Sequence, residues 1–210
     1  YYTYGHDPEG RAWHRQTAVH QTLTLDGRDA NVSGKHLLWH SAEGFDALVV
    51  ENASYPGLVH RRSVWFVDKS FFVILDEAIG DAPGVLDLHF QFAPGEVRLD
   101  KERKYAATAF QDANVLVWMG PDAPVTLEAE PGWFAWSYGK RIPRTAVRFR
   151  HEEQAPASFL TILVPYRGAT PPEVSASLSE DFGVGADRVT LEVAVAGKRR
   201  RIHRDLAEHP

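Results

Sequence analysis

His20 stands inside Thr17-Ala18-Val19-His20-Gln21-Thr22-Leu23-Thr24-Leu25-Asp26-Gly27, close behind a segment crowded with rings and positive charge. That segment, residues 1 to 16, carries Tyr2, Tyr4, Arg11, Trp13, His14 and Arg15 around Gly5, Pro8 and Gly10. Aromatic rings stack on pyranose faces and a guanidinium forks onto a carboxylate, so the combination suits an acidic sugar. The plainer reading is a loop wrapped over a sheet edge. An imidazole next to such a segment can move a proton near neutral pH or ligate a metal, or it can be a surface histidine bonded to a loop carbonyl. With no cysteine in the chain, a metal site has only His, Asp and Glu to draw on.

Three other groups have chemical character. His60-Arg61-Arg62 reads as a strand end on a solvated basic patch. Trp133, Trp136 and Tyr138 can line a strip for sugar rings, or serve as core or as a domain interface. Lys198-Arg199-Arg200-Arg201 reads most simply as a solvated face that blocks edge pairing, and more sharply as a binder of heparin-like polymer.

The elements that must position these residues are strands. From Val19 to Leu25 the residues alternate, with His20, Thr22 and Thr24 on one face, and Asp26-Gly27 ends the run in a turn. Further strands are predicted over Lys35–His40, Phe45–Tyr55, Val59–Val67 and Phe71–Asp76, the last two closed into a hairpin by Asp68-Lys69-Ser70. Val85–Phe92 alternates strictly, with His89 on its less apolar side. Shorter strands over Glu96–Leu99, Tyr105–Gln111, Asn114–Met119 and Val125–Glu130 follow, the last stopped by Pro131. Thr145–Arg150, Ala157–Tyr166, Glu173–Leu178, Arg188–Val195 and Arg199–His203 complete the set. Residues 1 to 16 are too broken for a strand, and no long segment has helical period. An all-β chain with a two-layer antiparallel sandwich, spanning residues 1–210 as one domain, is the expectation.

Composition excludes several classes. A net charge of −5 gives no electrostatic case for nucleic-acid binding. No apolar run approaches the roughly 18 residues of a membrane-spanning helix. The chain opens on Tyr1-Tyr2-Thr3-Tyr4 rather than a methionine, and so reads as part of a longer polypeptide.

The order of these motifs resembles the C-terminal β-sandwich of the heparinase II/III-like polysaccharide lyases. The stretch Arg11 to Gly27 is similar to that family's succession of arginine, aromatic, threonine, histidine-asparagine-threonine, alternation and aspartate-glycine, with Gln21 in place of the asparagine. His60 to Val67, followed by Phe72-Val73-Ile74-Leu75-Asp76 and Leu88-His89-Phe90, is a second match. Gly132-Trp133 to Gly139-Lys140, leading through a proline to an apolar strand, is a third.

The resemblance implies β-elimination on a uronic-acid polysaccharide, a glycosaminoglycan or alginate, with an N-terminal α/α toroid supplying the catalytic tyrosine and most of the cleft. It implies that the sandwich contributes a histidine and a metal site, usually zinc. His20 is then the metal ligand, with His60 as the alternative and the remaining ligands upstream. Tyr2, Tyr4 and Arg11 become the substrate-facing residues. Without the toroid the chain would be inactive. A periplasmic or secreted location follows from the same resemblance. A non-catalytic carbohydrate-binding or structural sandwich is the competing reading.

Overall fold

The structure, a computed structural model, describes residues 3–207. One short helix, α1 (Pro8–Trp13), and a single 3-10 turn (Thr17–Val19) precede fifteen strands. These are β1 (Leu23–Leu25), β2 (Gly34–Ala42), β3 (Phe45–Tyr55), β4 (Leu58–Val67), β5 (Phe71–Gly80), β6 (Leu86–Gln91), β7 (Val97–Asp100) and β8 (Tyr105–Thr108). After them come β9 (Asn114–Trp118), β10 (Thr126–Ser137), β11 (Lys140–His151), β12 (Ala157–Tyr166), β13 (Val174–Leu178), β14 (Arg188–Val195) and β15 (Lys198–Asp205).

All pairings are antiparallel, in a four-stranded sheet β1-β6-β11-β10, an eight-stranded sheet β2-β3-β4-β5-β12-β9-β8-β7 and a three-stranded sheet β13-β14-β15. The expected all-β sandwich is present. Between the four- and eight-stranded sheets, Leu86, Leu88 and Phe90 of β6 and Phe149 of β11 pack on Leu58, Ala78, Val117 and Phe159. A second core lies on the other face of the large sheet. There Val189, Leu191 and Val193 of β14 and Ile202 of β15 meet Val49, Trp65, Val73, Leu75 and Ile162. The alternation in β6 and β14 drives both layers, since each fully buried aliphatic or aromatic side chain contributes about 1.5–3 kcal/mol.

Polar residues that alternation assigns to outward faces are also covered. Asp87, on β6, is buried because Arg150 forks onto it with two bonds of 2.9 Å. His89 is buried between Thr24 Oγ1 at 2.9 Å and Glu130 Oε2 at 2.8 Å.

Three local expectations are corrected. Residues 1 to 16 contain a helix: Asp7 caps it by accepting from the Gly10 amide at 2.8 Å, and Pro8 fills the first turn, where its missing N–H costs nothing. The strand from Val19 shrinks to Leu23–Leu25, because Thr17 is pulled into a 3-10 turn. Its amide donates to Asp29 Oδ1 at 2.6 Å and its hydroxyl accepts from the Ala30 amide at 2.9 Å. Pro131 does not end a strand, since β10 runs through it opposite Thr145. As the outer strand of its sheet, β10 tolerates a residue without a donor.

Candidate functional site

The loop residues that follow α1 and the 3-10 turn, together with the hairpin arm β10–β11, enclose an open groove of about 540 Å³. Its walls are His14, Arg15, His20, Trp133, Phe134, Ala135 and Arg144. His20 therefore lies on a loop rather than a strand, and its side chain is exposed. Its Nδ1 is 2.8 Å from the Gln16 carbonyl, which can only accept, so Nδ1 carries the proton and Nε2 is left with its lone pair.

The backbone around His20 is clamped from three sides. Arg62 Nη1 donates to the Gln21 carbonyl at 2.6 Å, Gln91 Nε2 donates to the Ala18 carbonyl at 3.1 Å, and the His89 amide donates to the Thr22 carbonyl at 3.0 Å. Behind the first clamp, Asp76 Oδ1 takes Arg62 Nε at 2.6 Å and His60 Nε2 at 2.6 Å. Burial pushes the Asp76 carboxyl upward, but the Arg62 charge and His60 outweigh it and hold it below the ordinary value. His60 is thus no solvated strand end. Its side chain is 9% exposed and committed to Asp76. Arg61 is buried too, paired with Glu51 Oε1 at 2.7 Å and donating to the Gly185 and Ala186 carbonyls.

The opposite wall is the hairpin arm. Arg144 donates from Nε to the Trp133 carbonyl at 2.9 Å and from Nη1 to Gln91 Oε1. Partial burial lowers the Arg144 guanidinium below its ordinary value. Arg141 lies over the Trp133 ring, 4.6 Å from its centroid, and reaches Asp7 at 3.6 Å, so it fixes the ring and ties the arm to α1. Near the arm's tip the Tyr138 ring stacks on Tyr4 with centroids 5.9 Å apart. The Tyr138 hydroxyl accepts from the Tyr4 amide at 3.1 Å. The Thr3 hydroxyl, donating to the same oxygen at 3.4 Å, and then the Tyr4 amide hold the Tyr138 phenol below its ordinary pKa.

Of the residues singled out by sequence, His20 lines the groove, while Tyr4 and Arg11 are not among its walls. Arg11 donates to the Tyr4 carbonyl at 3.2 Å and lies over the Tyr4 ring. Tyr2 lies outside the described residues. Trp133, Trp136 and Tyr138 are exposed on the arm rather than in the core, which favours their reading as a surface for sugar rings or a neighbouring domain. Arg144 and Gln91 went unnoticed. The available signal was Gly132, a glycine inside a strand, which marks a close approach: a Cβ there would meet Arg144 Nη1 at 2.8 Å.

The metal expectation meets a thin donor set. Among the described residues no group of three or more His, Cys, Asp or Glu could hold an ion. His20 Nε2 is a suitable zinc donor, with Nδ1–H oriented by a carbonyl, but one donor does not make a site of about four. These residues alone do not fit zinc.

The groove presents cations on both walls, a free imidazole nitrogen and two aromatic faces, the equipment to seat an anionic sugar and exchange a proton with it. The sequence profile of the heparinase II/III-like C-terminal family matches residues 1–177. The heparin-sulfate lyase of Bacteroides stercoris is 35% identical over 201 residues, covering 93% of this chain and 30% of the relative. That of Pedobacter heparinus is 32% identical over 197 residues, covering 91% and 30%. A crystal structure of a heparan sulfate lyase mutant from Pedobacter heparinus superposes with a TM-score of 0.91 at 28% identity, over 100% of this chain and 34% of that one. The chain spans about 30% of the length of the curated relatives it matches.

Proposed function

Since the chain belongs to the heparinase II/III-like C-terminal family, we propose that it is the sandwich part of a lyase that cleaves a uronic-acid polysaccharide of the heparan sulfate class by β-elimination. The observation that carries this is the groove in which Arg15 and Arg144 face a sugar-sized space shared with His20, Trp133 and Phe134. Heparan-type polymer is favoured over alginate because the relatives that match are named heparin-sulfate lyases.

In such a reaction a base takes the proton α to the uronate carboxylate, charge builds on that carboxylate, and the leaving oxygen takes a proton. Arg144, half-buried and pre-positioned by Gln91 and the Trp133 carbonyl, meets the carboxylate or a neighbouring sulfate, while Trp133 and Phe134 carry the ring faces. His20, with Nε2 open, exchanges a proton at the reacting sugar or takes part in a metal site whose other ligands come from outside the described residues. The rest of the cleft, with the catalytic tyrosine, belongs to an N-terminal helical toroid. A polymer too large to enter a cell goes with a periplasmic or secreted enzyme.

The test is ultraviolet absorbance from unsaturated uronate, using the polypeptide as its gene encodes it. The expected result is a rise on heparan sulfate or heparin. A rise on alginate alone would move the substrate class. Binding without any rise, across those polymers, hyaluronan and chondroitin, would leave the carbohydrate-binding reading in its place.

A further inference from the structure

The Lys198–Arg201 run plays no part in that groove. Strand alternation in β15 divides it. Arg200 turns to Asp68 at 2.8 Å, whereas Arg199, opposite Ala194 of β14, lines two adjoining cavities of about 610 and 250 Å³. They share Ser175, Ala194 and Arg199, cross-strand partners on β13, β14 and β15, and so form one track over the three-stranded sheet. The larger cavity also holds Tyr105 and Trp118, which sit directly opposite one another on β8 and β9. Arg103 and Pro171-Pro172 complete its walls. No residue is shared with the groove at His20.

We infer that this track is a second binding site for an anionic oligosaccharide segment, outside the proposed cleavage groove. Tyr105 and Trp118 are half-buried, so their rings are held by the core beneath while part of each stays open to a pyranose face. Arg103 and Arg199 flank them and carry weak or no competition among the described residues. Arg103 reaches Asp100 only at 3.9 Å, and Arg199 has no carboxylate within ion-pair distance. Glu173 and Glu192 are the acids on the walls, and both are exposed. Two guanidinium groups set around an aromatic floor match sulfate or carboxylate groups on a sugar chain. The choice of a sugar polymer over another polyanion rests on the proposed function. A polymer held here would stay on the enzyme between cleavages, as a second point of attachment raises effective concentration.

Calorimetric titration of the protein with a heparin-derived hexasaccharide tests this, with a neutral dextran oligosaccharide as control. Arg103→Ala/Arg199→Ala alters only exposed side chains and is expected to weaken one of two binding events about tenfold or more, with circular dichroism unchanged. Trp118→Leu is expected to weaken the same event. Arg15→Ala/Arg144→Ala should spare it. Unchanged affinity and stoichiometry in the Arg103/Arg199 variant overturns the second site, as does a wild-type protein whose only binding event is lost in Arg15→Ala/Arg144→Ala. Those outcomes do not touch the elimination assay, so the second site and the proposed activity fail separately.

Discussion

Arg62 Nη1 donates to the Gln21 carbonyl at 2.6 Å, a bond spanning 41 residues that sets the backbone beside His20 from inside the large sheet. The same guanidinium is anchored by Asp76, which also holds His60. A histidine that looked like an alternative ligand is thus part of the support for the groove, and its loss would be felt at His20.

Arg62 acts as a positioning residue. Arg62→Lys keeps a charge beside Asp76 but loses the fork that reaches Gln21. Elimination on heparan sulfate should fall about tenfold, the scale of one charge-assisted bond, with most stability retained. Equal kcat and KM would show that the clamp does not matter.

Asp76 sets an acid limit. Its folded-state carboxyl is held below the ordinary value of 3.8, so its stabilisation is complete above that pH and is lost as pH falls through 3.8 toward the folded value. Urea midpoints should drop over that acid window. In Asp76→Ala, the Arg62 guanidinium loses its buried counter-charge and His60 its hydrogen-bond partner, at a cost of about 3–5 kcal/mol near neutral pH. A variant as stable as wild type would contradict the balance described for this carboxylate.

His20→Ala should separate chemistry from folding. The side chain is exposed and makes one bond to a backbone carbonyl, so thermal stability should change by less than about 0.5 kcal/mol. Turnover should fall about 100-fold or more if the imidazole handles a proton in the reaction. Full activity would remove His20 from the machinery.

Gly80 tests the fold independently of the site. Its φ of +129° is one that side chains rarely adopt, and a Cβ would sit 2.0 Å from the Gly57 carbonyl oxygen. Gly80→Ala should cost at least about 2–3 kcal/mol, lowering Tm by roughly 5–10 °C in calorimetry. An unchanged Tm would mean that the turn at Gly57 and the end of β5 do not meet this closely.

Where alternation and turn residues coincide, the sequence is a good guide. The β4–β5 hairpin, β6 and β14 lie within a few residues of expectation, and Asp26-Gly27 makes its turn with both residues at positive φ. What local pattern does not contain is partnership at a distance. The strand expected from Val19 starts only at Leu23 because Asp29 and Ala30 hold the Thr17 amide and hydroxyl in a 3-10 turn ahead of it. His60 and Arg61 leave the solvent because, across neighbouring strands, Asp76 takes a hydrogen bond from His60 and Glu51 neutralises Arg61. Arg204, at the far end of the basic-rich last strand, is buried against Glu77 at 2.6 Å for the same reason. The candidate groove was half legible: its His20 side is one continuous motif, while Arg144 and Gln91 come together only through the register of β6 and β11.

The most direct test of the groove is the KM for heparan sulfate, followed by ultraviolet absorbance, in wild type and in Arg144→Ala and Gly132→Ala. The first substitution removes the cation and the second adds a Cβ 2.8 Å from its Nη1. Both should raise KM, Arg144→Ala by about tenfold, with Tm nearly unchanged. A KM equal to wild type in both would place substrate binding elsewhere and contradict the assignment of this groove.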